Sequence, residues 1–370
     1  MADKIRFGRT EAILTLVNLA SIQVFIGFPR RMADSGGTAG WIIPIYTVVF
    51  ALIIFFFISK MYTSFEGKDI LDIAQIAGGN FGRILVGLIF IANYALILSV
   101  VLREFGEDVK VFSLTQSPIS FVIIFFIIGV ITASYFGLEA IVRISTFIVP
   151  IVAFGFFIVV IGNIKYFEFS RLLPILGNGP YKIFIQGIPQ ISLYSSMSIL
   201  FFMAPFIGKN KDFKIVGNVS LVLSAILLTI GALVYLLVVP YPTSTENIIP
   251  YLHLARYVNY GRFFERIESI FVLIWSLAAL SYLSVGSFFL IYIIKKTFRL
   301  QYYRPLILPI SLILFTLCLM PQSLLSAADL EVNIFRKFAW IVTFGVPIVV
   351  LLLAKLVKRK KEGGKCNEKI

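Results

Sequence analysis

The chain has 370 residues, 59% of them hydrophobic and only 14% charged, with a mean hydropathy of +0.95 and a net charge of +14. A soluble domain is nearer half apolar and a quarter charged, so the composition excludes a soluble enzyme and defines an all-α, multi-pass membrane protein. The 33 Lys and Arg flank apolar runs and form no soluble basic face, which argues against a nucleic-acid partner.

Apolar runs near 11–33, 41–60, 82–103, 119–136, 143–163, 183–207, 215–239, 268–294, 305–320 and 338–357 predict ten spans. They make one transmembrane domain over residues 1–357, and residues 358–370 form a basic tail. Lys4, Arg6 and Arg9 precede a first run too long for a signal h-region and without a small-residue cleavage site, so the first span is expected to stay in the mature protein.

That first run is interrupted at Phe25-Ile26-Gly27-Phe28-Pro29-Arg30. Bilayer hydrocarbon cannot satisfy free N–H and C=O groups, so a broken span persists only where protein or an aqueous cavity pairs them. The plain alternative is a proline kink. After the second span, residues 64–80 carry Asp69 and Asp72 and end in Gly78-Gly79-Asn80, the pattern of a short interfacial helix stopped by glycines. Span three holds Asn93, Tyr94 and Leu98, with Glu104 near its end.

Span six repeats the interruption: Gly187 and Pro189 come early, Tyr194-Ser195-Ser196-Met197-Ser198 in the middle, Pro205 late. Small residues at helix contacts would explain some of this. Yet spans one and six hold equivalent places if ten helices divide as five plus five, and paired breaks point to an inverted-repeat transporter fold with its site at the breaks. The outer loop near 240–264 is expected to place a short helix across the mouth. Span eight carries Ser276, Ser281, Tyr282 and Ser284.

Spans one, three, six and eight then wall a central pocket. The ligand-binding candidates are Ile22, Gln23, Phe25, Gly27, Tyr94, Leu98, Tyr194, Ser195, Ser196, Met197, Ser281 and Tyr282. Pro29, Arg30, Glu265, Arg266 and Glu268 are candidates for gating or structural roles, Arg30 as a cation at the C-terminal end of the first helix. Intramembrane charges are costly and usually functional, but the charged candidates Arg30, Arg31, Glu104, Arg143, Glu265, Arg266 and Glu268 sit near span ends. Phosphate-loop, dinucleotide and His/Cys/acid signatures are absent, Cys318 and Cys366 have no metal-ligand spacing, and His253 stands alone in a loop, so neither catalysis nor a cofactor is expected. The larger share of Lys and Arg falls on the side of both termini, which places them in the cytoplasm.

Several motifs resemble one family. Gly27-Phe28-Pro29-Arg30 resembles the leucine-proline-arginine signature of the endospore germination permeases, the B subunits of nutrient germinant receptors within the amino acid–polyamine–organocation superfamily. Leu172-Leu173-Pro174-Ile175-Leu176-Gly177-Asn178-Gly179 and Glu265-Arg266-Ile267-Glu268-Ser269, with Trp275 beyond, resemble two further family stretches. Lys295-Lys296-Thr297-Phe298 and Met320-Pro321 match in type and place.

The resemblance implies a ten-helix, five-plus-five fold in the inner membrane of a bacterial endospore, and a complex with a larger A subunit and a lipoprotein C subunit. It implies that the chain senses a small nutrient (an amino acid, nucleoside or sugar). An active amino-acid permease and a purely structural subunit are the rival readings. Three departures matter: Ile22-Gln23-Val24-Phe25 is bulkier than the family's small residues, Ile199 stands near a family acidic position, and Leu173 replaces the family arginine before Pro174.

Overall fold

A computed structural model describes residues 7–112, 114–207, 210–258 and 267–367. The described residues are overwhelmingly helical and contain no strand. Among the described residues, eight helices are long and apolar enough to cross a membrane, and Arg304–Cys318 is a shorter apolar helix. The first crossing is made of two half-helices, Arg9–Ser21 and Phe28–Gly36, the second of which runs on through a 3-10 turn into span two, Ile43–Tyr62.

Predicted and observed ends agree closely for span four, Ile119–Phe136, and span eight, Ile267–Thr297. The glycine-stopped helix is present too: the Ile70–Phe112 helix bends at Gly78 and Gly79, and Gly79 has φ +63°. Asp69 opens this helix by accepting the Leu71 and Asp72 N–H groups at 3.0 Å, as an N-cap does. The outer-loop helix is Pro250–Tyr257, packed on spans five, seven and eight.

Span ten departs from expectation. It begins at Leu324, well before residue 338, and its helix continues to Asn367 through the expected tail. Two π-helical turns interrupt it, Glu331–Phe335 and Ile341–Gly345. Such turns are rare and cluster at functional sites.

Arg9 pairs with Asp212 at 2.5 Å, Glu66 accepts the Asn210 N–H at 3.0 Å, and Lys358 reaches the Ser64 carbonyl at 3.4 Å. The start of span one, the ends of spans two and ten and the start of span seven therefore share one face, here the proximal face. Spans one, three, five and eight pack together, and span six is held between spans two, seven and ten. Asn18 on span one donates to Ser281 on span eight at 3.2 Å, and Ser281 shares a 2.8 Å hydrogen bond with Ser145 on span five. Interhelical bonds of this kind stabilise membrane bundles by about 0.6 kcal/mol each.

Candidate functional site

The break in span one opens at Ser21, earlier than the sequence indicates. A 3-10 turn, Ile22–Val24, leads to Gly27, whose φ of +46° lies in the left-handed region. That conformation costs a side-chain-bearing residue roughly 1–2 kcal/mol. Pro29 does not kink a helix; it sits in the first turn of Phe28–Gly36, where its missing N–H costs nothing. Arg30 is consequently at the N-terminal end of a half-helix, so the favourable C-terminal dipole contact expected from the sequence does not exist. Its Nε donates to the Thr245 carbonyl at 2.7 Å and fastens the half-helix to the outer loop.

The loop after span five seats the same half-helix. Thr38 donates to the Pro174 carbonyl at 2.6 Å, and Gly177, at φ +44°, lies so close that a Cβ would meet the Gly36 carbonyl oxygen at 2.0 Å. Only glycine fits there.

Span six breaks as a 3-10 spiral, Ile188–Met197, before continuing as Ser198–Ile207. Gln23 crosses between the breaks: its Nε2 donates to the Leu193 carbonyl at 2.9 Å, and its Oε1 accepts from Arg336 at 2.9 Å. The unwound carbonyl of one span is thus satisfied by a side chain of the other, as a dry interior demands.

Beside this bridge lie two adjoining small cavities, about 20 and 30 Å³. Both touch Leu19, Ile97, Ser195, Ser196 and Tyr282. One extends to Asn93, Tyr94, Leu98, Ser198 and Ile199, the other to Ile22, Gln23, Arg31, Glu104 and Glu331. Tyr94 and Ser198 are 2.7 Å apart and tie spans three and six. Ser196 Oγ and Glu104 Oε2 are buried and have no hydrogen-bond partner within the described protein. A volume this size holds about one water, so a nutrient-sized ligand requires the walls to part.

Five candidates lie elsewhere. Phe25 turns away into an aromatic nest with Phe271, Tyr251 and Phe156, at 5.6, 5.9 and 6.4 Å between ring centroids. Tyr194 is fully buried and donates to the Pro44 carbonyl at 2.8 Å. Met197 is buried without lining either cavity, and Ser281 is spent on Asn18 and Ser145. Gly27 lines a larger cavity on the distal side. Glu265, Arg266 and the side chain of Glu268 lie outside the described residues.

Glu331 and Arg336 are absent from the candidates drawn from sequence. Glu331 receives Arg31 on one carboxylate oxygen and Arg336 on the other, each at 2.6 Å. All three side chains are at least 87% buried. Glu104, on span three, lines the same small cavity as Arg31 and Glu331. Breaking such a buried network by removing one member typically costs about 3–5 kcal/mol. Arg143, by contrast, makes only an exposed pair with Glu139. The cluster separates the central cavities from a distal cavity of about 420 Å³ that includes Gly27, Arg30, Asp34, Asp108 and Asp329. On the proximal side a cavity of about 400 Å³ lies between the start of span three and the end of span eight. Outside the spans, partial burial and the Arg256 guanidinium push the His253 imidazole below its ordinary range, and its ring meets Tyr257 edge-on at 4.9 Å.

Broken spans, a polar midpoint and a cavity on either face define a transporter-type membrane bundle. The fold matches a nucleobase-cation-symport-1 family transporter, Mhp1, in a closed conformation with bromovinylhydantoin bound: TM-score 0.68 and 11% identity, covering 97% of this chain and 94% of that one. The family model described as spore germination protein matches residues 9–326, and the chain belongs to that family. Among curated proteins of Bacillus subtilis (strain 168), it is 25% identical to spore germination protein B2 over 71% of this chain and 72% of the relative. It is 22% identical to spore germination protein A2 over 96% and 97%. Family and fold are of permease type, and the chain is a multi-pass membrane protein connected with germination.

Proposed function

We propose that the chain is the membrane subunit of a spore nutrient germinant receptor, in which a small nutrient (an amino acid, nucleoside or sugar) binds between the two breaks and triggers germination. The observation that carries this reading is the meeting of two unwound segments at a cavity with unpartnered polar groups, Ser196 Oγ and Glu104 Oε2. Ile22, Gln23, Tyr94, Leu98, Ser195, Ser196 and Tyr282 form its wall. The Arg31–Glu331–Arg336 cluster closes it toward the distal cavity. Nutrient that binds one packing of the bundle better than the other shifts the balance, and a ligand without that preference cannot signal.

The bulk of Ile22 and Gln23 argues against a pocket shaped for a small free amino acid. In this reading the subunit sits in the inner membrane of the endospore with both termini on the core side, beside A and C subunits. The five-plus-five inverted repeat belongs to the same proposal and is supported by the placement of the two breaks. A screen of spores lacking this chain against single nutrients tests the role. Loss of response to one nutrient class is expected; unchanged responses to all would overturn it.

One observation favours a second reading, an active amino-acid permease: cavities of about 420 and 400 Å³ flank the small central ones from opposite faces, the layout of alternating access. Gradient-driven accumulation of labelled amino acid by reconstituted vesicles would establish it and displace the receptor-only view.

A further inference from the structure

The proximal cavity plays no part in the central site. Its wall combines two kinds of surface. Leu138, Phe206, Phe288, Leu300, Tyr292 and Tyr303 give it an apolar side, and Arg83, Lys295, Lys296 and Arg299 give it a basic one, with Asp72 the one carboxylate in the lining. Lys296 is already committed, paired with Asp69 and, at 2.6 Å, with Asp72. Arg83, Lys295 and Arg299 have no acidic partner among the described residues. Arg83 is 6% exposed, donates only to Gln75 at 3.3 Å, and its buried Nε has no acceptor within the described protein.

Arg299 adds an independent observation. Span eight ends with the Leu300 N–H on the Lys295 carbonyl at 2.9 Å and the Arg299 N–H on the Lys296 carbonyl at 3.4 Å, a Schellman closure. The residue in the left-handed position of that closure is normally glycine. Here it is Arg299, at φ +55°, the one non-glycine residue with positive φ among those described. A strained conformation held by a cation at the edge of a cavity is the kind of outlier from which function is inferred. Beyond it, Phe298 and Tyr302 are 52% and 73% exposed, an aromatic rim suited to a membrane–water interface.

We infer that this cavity binds a phosphate-bearing ligand, with the anionic group among Arg83, Lys295 and Arg299 and an apolar portion against Leu138, Phe206 and Phe288. The apolar wall and the interfacial rim favour the headgroup of an anionic phospholipid as its source over free phosphate. Its size, about 400 Å³, falls within the usual range for small-ligand sites.

The test uses the full chain in detergent micelles, titrated with dioctanoyl phosphatidylglycerol, dioctanoyl phosphatidylcholine and inorganic phosphate and read by native mass spectrometry. Phosphatidylglycerol is expected to bind at least roughly tenfold tighter than phosphatidylcholine, since only it carries net charge. Lys295→Gln combined with Arg299→Asn (asparagine tolerates positive φ) is expected to weaken it by about thirtyfold without moving the lipid-free unfolding midpoint. Lys295→Gln alone is expected to weaken it by about fivefold, and tail variant Lys358→Gln to leave it unchanged. Inorganic phosphate binding with the same residue dependence, and no preference between the lipids, would keep the phosphate site and assign it a soluble source. Equal binding of the two lipids without phosphate binding, or phosphatidylglycerol binding indifferent to Lys295 and Arg299, would overturn the inference.

Discussion

The two broken spans are interrupted by different means. Span one turns at a single left-handed glycine, Gly27, and sends a long side chain, Gln23, across to its counterpart. Span six winds into a 3-10 spiral and presents serines, with Ser196 Oγ unpartnered. One break supplies the connection to the buried charges; the other supplies free polar groups. Variants in the first should therefore disturb structure and response together, whereas conservative variants in the second should separate them.

The largest expected effect lies where span one meets span ten. Glu331→Ala leaves Arg31 and Arg336 buried without their carboxylate and should cost about 3–5 kcal/mol, seen as a lowered unfolding midpoint and poor accumulation. Gln23→Leu removes the donor to the Leu193 carbonyl and the acceptor of Arg336, for about 1–3 kcal/mol in the same measurement. Gly27→Leu should cost roughly 1–2 kcal/mol from its backbone alone. Its Cβ would also sit 3.2 Å from Arg31 Nη1, so the guanidinium must shift by a few tenths of an ångström against Glu331, and the nutrient concentration for half-maximal germination should rise. Ser281→Ala removes both of its bonds, to Asn18 and to Ser145, and should cost about 1.2 kcal/mol at about 0.6 kcal/mol each, leaving the nutrient response unchanged. Ser196→Ala is expected to leave the midpoint in place yet weaken the response. An unchanged response there would erase the distinction between the two breaks.

How much of this was legible in the sequence depends on whether the deciding partner was local. The breaks themselves were, because glycine, proline and clustered serines act through their own backbone. The glycine stop at Gly78-Gly79 was legible for the same reason. The start of span ten was not: Asp329, Glu331, Asn333, Arg336 and Lys337 read as aqueous loop by hydropathy. What makes Glu331 tolerable inside the bundle is Arg31, 300 residues away in the chain. The available signal was an acid and a base five residues apart facing a lone Arg31, since intramembrane charges seek one another. Phe25 and Ser281 went astray because a residue type does not tell which way a side chain points once a helix has broken, nor which hydroxyls neighbouring spans have already claimed. Arg30 was misassigned because Pro29 begins a half-helix and does not end one.

The central claim is that the nutrient sits between the two breaks. The most direct measurement is the nutrient concentration dependence of germination in spores carrying Ser195→Phe, with the amount of the chain in the spore membrane determined alongside. The added ring would fill cavities of only about 20 and 30 Å³. The account predicts a normal amount of protein and a response lost or moved to much higher nutrient concentration. A normal amount of protein with an unchanged concentration dependence would contradict it.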